Sequence, residues 1–236
     1  IESDPETDEV KSTELNLWKK IRTKTLKGRR TGCGTTGEGD MLAALGLRYG
    51  TPEATEFSVS VHRELALAYY RASVDMAIER GAFEVYDAER EKNNPFIDRL
   101  RKADPELYEK MMRHGRRNIS CLTIAPTGTT SLMTQTTSGI EPVFLPVYKR
   151  KRKVNPGDED VKIKSWVRPF EEYIVYHHKF LEWMRVNGIE VKRNLSAEEI
   201  ERLVEKSPYY KATSNDVDWM EKVRMQGAVQ KWVDHS

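Results

Sequence analysis

A chain of 236 residues with 39 basic and 37 acidic side chains has a formal net charge of +2, which argues against a strongly biased electrostatic partner. Its 38% hydrophobic content is enough for a core, its 32% charged residues mark a solvated surface, and no apolar run is long enough to span a membrane. Two cysteines, Cys33 and Cys121, in a chain of this size suggest a reducing, cytoplasmic setting.

The N-terminal Ile1–Glu9 stretch is acidic, lacks a signal peptide's basic and apolar regions, and does not begin with Met, so a fragment or processed product is expected. A helix follows, with Leu15, Leu17, Trp18 and Ile21 as a partial apolar face and Gly28 as its stop. The glycine-rich block from Gly32 to Gly39 contains G-x-G-x-x-G. A dinucleotide site needs a strand before that motif, whereas the segment here is rich in Lys and Arg. A turn followed by a helix from Asp40 to Leu47 is the better reading, with Cys33 a small buried hydrophobe.

Thr51-Pro52-Glu53 is a strong helix start, combining a cap, a first-turn proline and an acid at the positive end of the dipole. The spacing predicts a helix to Arg80, stopped by Gly81, with Val61, Leu65, Ala68, Tyr69, Ala72 and Met76 on the core face. His62 beside that face has no His or Cys four residues on and reads as structural. Phe96, Ile97 and Leu100 predict a short helix, and Asp104-Pro105-Glu106 opens another that ends near Gly115. Arg116 and Arg117 read as solvated residues at a strand entrance.

The central stretch runs Asn118-Ile-Ser-Cys-Leu-Thr-Ile-Ala-Pro-Thr-Gly-Thr-Thr-Ser131. Ile119 to Ile124 predicts a short buried strand, broken at Pro126 and Gly128. A strand entering a tight Thr/Gly turn gathers backbone N–H groups and hydroxyls around one point, which can hold a phosphate without a lysine. Ser138-Gly-Ile-Glu-Pro-Val-Phe144 then predicts a loop and short strand. Its Glu141 reads as a structural carboxylate bonded to backbone rather than an acid or base, since no catalytic partner is evident.

Tyr148-Lys-Arg-Lys-Arg-Lys153 is the most basic run, and Asp158, Glu159 and Asp160 largely balance it. Residues 149–165 predict an exposed excursion, a hairpin around Asn155-Pro-Gly-Asp158. Pro169 predicts a helix to Gly188 with Phe170, Ile174, His178, Leu181 and Met184 on one stripe. His177 and His178 would project about 100° apart on that helix and make a poor metal pair. Ser196-Ala-Glu-Glu199 is a capping box, and Asp216 or Asp218 opens the last helix.

Three separated blocks carry a specific resemblance. Arg29-Arg-Thr-Gly-Cys-Gly-Thr-Thr-Gly-Glu-Gly-Asp-Met-Leu-Ala-Ala-Leu-Gly-Leu-Arg-Tyr-Gly50, the Leu122–Ser131 turn with Ser138–Phe144, and Asp218–Asp234 resemble, in order, the catalytic subunit of ribonucleotide reductase. The resemblance is to the adenosylcobalamin (vitamin B12)-dependent class and does not extend to the acidic N-terminus or to residues near 149–207. It implies an α/β fold, a helix-rich single domain forming the C-terminal part of the family's ten-stranded α/β barrel. It implies replacement of a ribose 2′-hydroxyl by hydrogen through a protein thiyl radical, with a thioredoxin-type reductant. Substrate diphosphate binding carries over onto Pro126, Thr127, Gly128, Thr129 and Thr130. The family's N-x-C-x-E radical loop and its C-terminal C-x-x-C are absent from this sequence, so the chemistry is expected to need an N-terminal barrel portion. A stand-alone nucleotide-binding or regulatory module is the alternative, and a nucleic-acid binder using residues 149–153 ranks last.

Overall fold

A computed structural model describes residue 3, residues 5–154 and residues 170–235. The elements in chain order are α1 (Asp8–Gly28), α2 (Glu38–Ala44), α3 (Pro52–Arg80), α4 (Ala88–Glu91), α5 (Pro95–Ala103), α6 (Pro105–His114), α7 (Gly128–Thr134), β1 (Val147–Lys153), β2 (Phe170–Tyr176), α8 (His178–Val186), α9 (Ala197–Glu205) and α10 (Trp219–Gln230). The described residues form one two-stranded sheet and no closed barrel. No helix among them is long and apolar enough to cross a membrane. The chain divides into two compact units, one of residues 1–34, 59–124 and 227–236, the other of residues 35–58 and 125–226.

The first unit is organised by helix caps and a parallel backbone pairing. Asn94 and Asp104 each precede a proline and accept a first-turn N–H, from Phe96 at 2.9 Å and Leu107 at 3.0 Å. The capping bond to Leu107, with Arg71 alongside, holds the Asp104 carboxyl below its ordinary range. These helices bury Ile97, Leu100, Leu107 and Met111, and the Phe96 ring of α5 lies 5.4 Å from that of Tyr70 on α3, where Leu67 and Val74 are buried too. At about 25 cal/mol per Å2, each such side chain contributes roughly 1.5–3 kcal/mol of transfer free energy.

The predicted strand at 119–124 is extended but pairs through an isolated parallel bridge, Cys33 with Leu122. Cys33 N–H donates to Cys121 O at 2.8 Å, and Thr123 N–H donates to Cys33 O at 2.9 Å. Its partner Cys33 lies inside the glycine-rich block, and the Lys/Arg-rich segment before that block forms no strand. Glycine allows the approach, since a Cβ on Gly34 would lie 2.3 Å from the Thr123 carbonyl oxygen. On Cys121 and Leu122, the N–H groups donate to the two oxygens of Asp234, at 2.9 and 2.8 Å.

Further expectations in this unit are corrected. Ala68 and Ala72 are exposed, while Ala66, Tyr70, Ser73 and Ala77, with His62, form the buried face of α3. Small and polar side chains share that face with Leu67, Tyr70 and Val74, so the apolar spacing alone placed it wrongly. Arg116 is buried, not solvated. It donates to Glu91 at 2.7 Å and to the carbonyls of Asn118 and Ile119 at 2.6 Å, with its guanidinium 5.4 Å from the Tyr70 ring and 5.3 Å from Phe83. A planar guanidinium can stack on rings while its fork serves oxygens, which lysine cannot do. Cys33 is only half-buried. In α1, no residue is buried, and Leu17 and Trp18 stand on its surface.

In the second unit, Ala43, Val143, Val147, Phe180, Met184, Leu195 and Tyr209 form one core cluster. The antiparallel hairpin pairs Val147 with Tyr176 through Lys153 with Phe170. The helix predicted from Pro169 is therefore replaced by β2 over Phe170–Tyr176, and α8 begins only at His178. Phe, Tyr, Ile and Val favour a pleated strand, and the opposite charges of β1 and β2 select the register. Arg152 meets Glu171 at 2.6 Å and Lys151 meets Glu172 at 3.3 Å. The predicted turn at Asn155–Asp158, and Pro169 itself, lie outside the described residues. The Ser196–Glu199 capping box is present at α9.

Candidate functional site

The site is built from three chain segments of the second unit. The Ala125–Thr130 turn leads into α7, whose first residue is Gly128. The N–H groups of Gly128, Thr129 and Thr130 are the unpaired first-turn donors that every helix leaves. Pro126, Gly128, Thr129 and Thr130 are exposed, and nothing lies within 4 Å of where a Gly128 Cβ would stand.

Thr127 plays a different part. Its hydroxyl accepts the Gly139 N–H at 2.6 Å and lies 2.9 Å from Thr36 Oγ1 and 3.2 Å from Ser138 Oγ. Thr36 donates its own proton to the Thr137 carbonyl at 3.2 Å, so Thr36 and Ser138 are the two acceptors within reach of the Thr127 proton. The Thr127 hydroxyl ties the turn to its neighbours, while those of Thr129 and Thr130 face outward.

Glycine brings the other two segments together. Gly37 has φ +83°, and its N–H donates to Thr137 O at 2.9 Å. A Cβ on Gly39 would lie 2.6 Å from the Glu141 carbonyl oxygen, so Gly39 lets the start of α2 lie against the 137–142 loop. The glycine-rich block thus serves close chain packing. Glu141 has an exposed side chain.

A buried carboxylate, Asp40, anchors this arrangement. Oδ2 accepts the Thr137 N–H at 2.8 Å. Oδ1 lies 2.7 Å from His177 Nε2 and accepts the Tyr209 hydroxyl at 2.8 Å. Burial, then the neighbouring Asp40 charge, pushes the Tyr209 phenol well up. Sequence reading missed Asp40, His177 and Tyr209 as a set, and their separations of 137 and 169 residues from Asp40 left no local signal. No group of three potential metal ligands stands together among the described residues.

Glu38, the first residue of α2, is 3% exposed and accepts the Ser58 hydroxyl. Burial raises its carboxyl to about 7, with a hydrogen bond from Thr35 opposing the shift. The Tyr49 phenol, also raised chiefly by burial, donates to the Ile140 carbonyl at 2.7 Å. Beside α7 lies a cavity of about 340 Å3 whose lining includes Ser131, Gln135, Thr136, Tyr148, Arg150 and His177. Cys121, in the first unit, is fully buried and its thiol is pushed up to about 12 by burial, so it holds almost no thiolate at neutral pH.

An exposed Thr/Gly turn, fastened to a glycine-rich helix start and a Ser-Gly-Ile-Glu-Pro loop, defines a candidate anion-binding unit of a helix-rich α/β protein. The family described as "Ribonucleotide reductase, barrel domain" matches residues 8–236, and the chain belongs to that family. The vitamin B12-dependent ribonucleoside-diphosphate reductase of Mycobacterium tuberculosis is 34% identical over 122 residues, 52% of this chain and 15% of the relative. That of Thermoplasma acidophilum is 29% identical over 216 residues, covering 91% of this chain and 24% of the relative. The ribonucleoside-diphosphate reductase subunit alpha of Helicobacter pylori is 28% identical over 158 residues, 58% of this chain and 19% of the relative. The chain therefore spans a quarter or less of the length of these relatives.

Proposed function

We propose that this chain is the substrate-phosphate portion of a cytoplasmic ribonucleotide reductase, a single domain from the C-terminal part of the ten-stranded barrel. The observation that carries the reading is the exposed start of α7, fastened from behind through Thr127 to Thr36 of the glycine-rich block and to Gly139 of the Ser138–Phe144 stretch. In this reading the N–H groups of Gly128, Thr129 and Thr130 and the hydroxyls of Thr129 and Thr130 donate to a ribonucleotide diphosphate. Pro126 sets the entry of the turn, and Thr127 orients it rather than donating. Three N–H donors at a helix start suit an anion without a cationic side chain.

The reaction of the whole enzyme is replacement of the ribose 2′-hydroxyl by hydrogen. Adenosylcobalamin would supply the radical that starts it, and a thioredoxin-type protein would restore the reducing equivalents. The described residues do not fit the cobalamin itself, since the cavities beside the hairpin and α7 measure about 400 and 340 Å3, small for a corrin. Neither Cys33 nor Cys121 sits in an N-x-C-x-E loop. The radical cysteine, its partners and the cofactor contacts belong, in this reading, to a separate N-terminal barrel portion.

Mixing the chain with the N-terminal barrel portion of a B12-dependent relative, with adenosylcobalamin and a dithiol, tests this. Deoxyribonucleotide formation that needs both proteins supports the reading. Nucleotide binding by the chain alone, unchanged by the partner and without turnover, would favour a stand-alone binding module instead.

A further inference from the structure

We infer that Asp40 is a positioning residue for phosphate binding, acting on the Pro126–Thr130 turn through Thr137, Gly139 and Thr127, with His177 and Tyr209 fixing its carboxylate. The inference rests on the phosphate reading above and adds a second layer of residues to it. Asp40 is 7% exposed, and its hydrogen bonds run to Thr137, His177 and Tyr209 rather than to the turn. Each of its oxygens has a separate task. Oδ1 is held by His177 Nε2 at 2.7 Å and the Tyr209 hydroxyl at 2.8 Å, while Oδ2 receives the Thr137 N–H at 2.8 Å. The Asp40 N–H in turn donates to Thr137 Oγ1 at 3.3 Å, so residues 40 and 137 are locked in both directions.

From Thr137 the connection runs two residues to Gly139. Gly139 has φ +47° and donates its N–H to Thr127 Oγ1 at 2.6 Å, and its carbonyl accepts the Glu38 N–H at 3.3 Å. Thr127 is the residue immediately before α7, so the same hydroxyl that receives Gly139 sets where the Gly128, Thr129 and Thr130 N–H groups point. Every link is a backbone N–H or a short side chain with little torsional slack. A shift of the Asp40 carboxylate is therefore passed on rather than absorbed. His177 follows β2 directly and its ring stands edge-on to Tyr209 at 5.9 Å, so both donors are themselves fixed by packing.

Asp40→Asn is nearly isosteric, but its amide presents an oxygen to only one of the two sides. Either Thr137 or the His177–Tyr209 pair loses an acceptor. The test is calorimetric titration of the chain with inorganic pyrophosphate, together with hydrogen exchange of the Gly139 amide without ligand. Asp40→Asn is expected to weaken pyrophosphate binding about tenfold, the equivalent of one lost hydrogen bond, and to speed Gly139 exchange. Tyr209→Phe, which removes one donor and keeps the ring, is expected to give a smaller loss of the same kind and serves if Asp40→Asn does not fold. Leu195→Ala is the control, since it loosens the same core cluster at a residue whose side chain makes none of these hydrogen bonds. Equal loss of affinity in the control at equal loss of thermal stability would overturn the inference, leaving Asp40 a general stabiliser. If the wild-type chain binds no pyrophosphate, the phosphate reading fails. Gly139 exchange then decides the positioning claim alone, and unchanged exchange in Asp40→Asn and Tyr209→Phe would overturn it.

Discussion

Replacing Glu38 by Gln changes one carboxylate that the fold keeps out of water. The side chain is 3% exposed, and burial raises its pKa from 4.5 to about 7. Below 4.5 the group is protonated in both folded and unfolded chains and has no effect on their balance. Between 4.5 and 7 the unfolded chain releases the proton while the native chain keeps it, so stability falls as pH rises through that window. The loss is complete above 7. At 1.36 kcal/mol per unit, the shift amounts to about 3 kcal/mol. Glutamine keeps an acceptor for the Ser58 hydroxyl and has no proton to lose. Urea unfolding at pH 5, 6, 7 and 8 is expected to show Glu38→Gln gaining on wild type across the series, reaching about 3 kcal/mol at pH 8. Equal stability curves at all four pH values would refute the claim that Glu38 sits in a desolvated site.

Thr127→Val leaves the Gly139 N–H without its acceptor and is expected to cost about 1–3 kcal/mol in urea unfolding, whereas Thr129→Val, on an exposed residue, is expected to cost under about 0.5. Arg116→Met strands the Glu91 carboxylate in a pocket where the paired side chains are 4% and 11% exposed, and a loss of about 3–5 kcal/mol is expected in thermal or urea unfolding. Gly34→Ala puts a methyl 2.3 Å from the Thr123 carbonyl oxygen, so hydrogen exchange at the Cys33 and Thr123 amides is expected to speed up as the parallel pairing is forced apart.

Elements with strong local chemistry were legible in the sequence. Thr51-Pro52, Asp104-Pro105 and Ser196-Ala-Glu-Glu199 each begin a helix where a cap and a first-turn proline or glutamate predict one. Residues whose role is set by distant partners were not. The buried face of α3 mixes Leu67, Tyr70 and Val74 with Ala66, Ser73, Ala77 and His62, so it is rotated from the stripe that periodicity selects. For β2, the Phe170, Ile174, His178 spacing fits a helix as well as an alternating strand, and the opposite charges of β1 decided the outcome. Arg116 reads as one of a solvated pair until Glu91, Tyr70 and Phe83 are placed around it. At the site, the Thr/Gly turn stands out in the sequence, but the inward role of the Thr127 hydroxyl does not. Its partners Thr36 and Gly139 lie 91 and 12 residues away in the chain.

The most direct measurement is calorimetric titration of the purified chain with a ribonucleoside diphosphate, set beside Thr129→Val and the double variant Thr127→Val, Thr129→Val. The account predicts binding by the wild-type chain, weakened by Thr129→Val at unchanged stability and abolished in the double variant. Binding of undiminished affinity in a folded double variant would place the phosphate elsewhere and contradict the account.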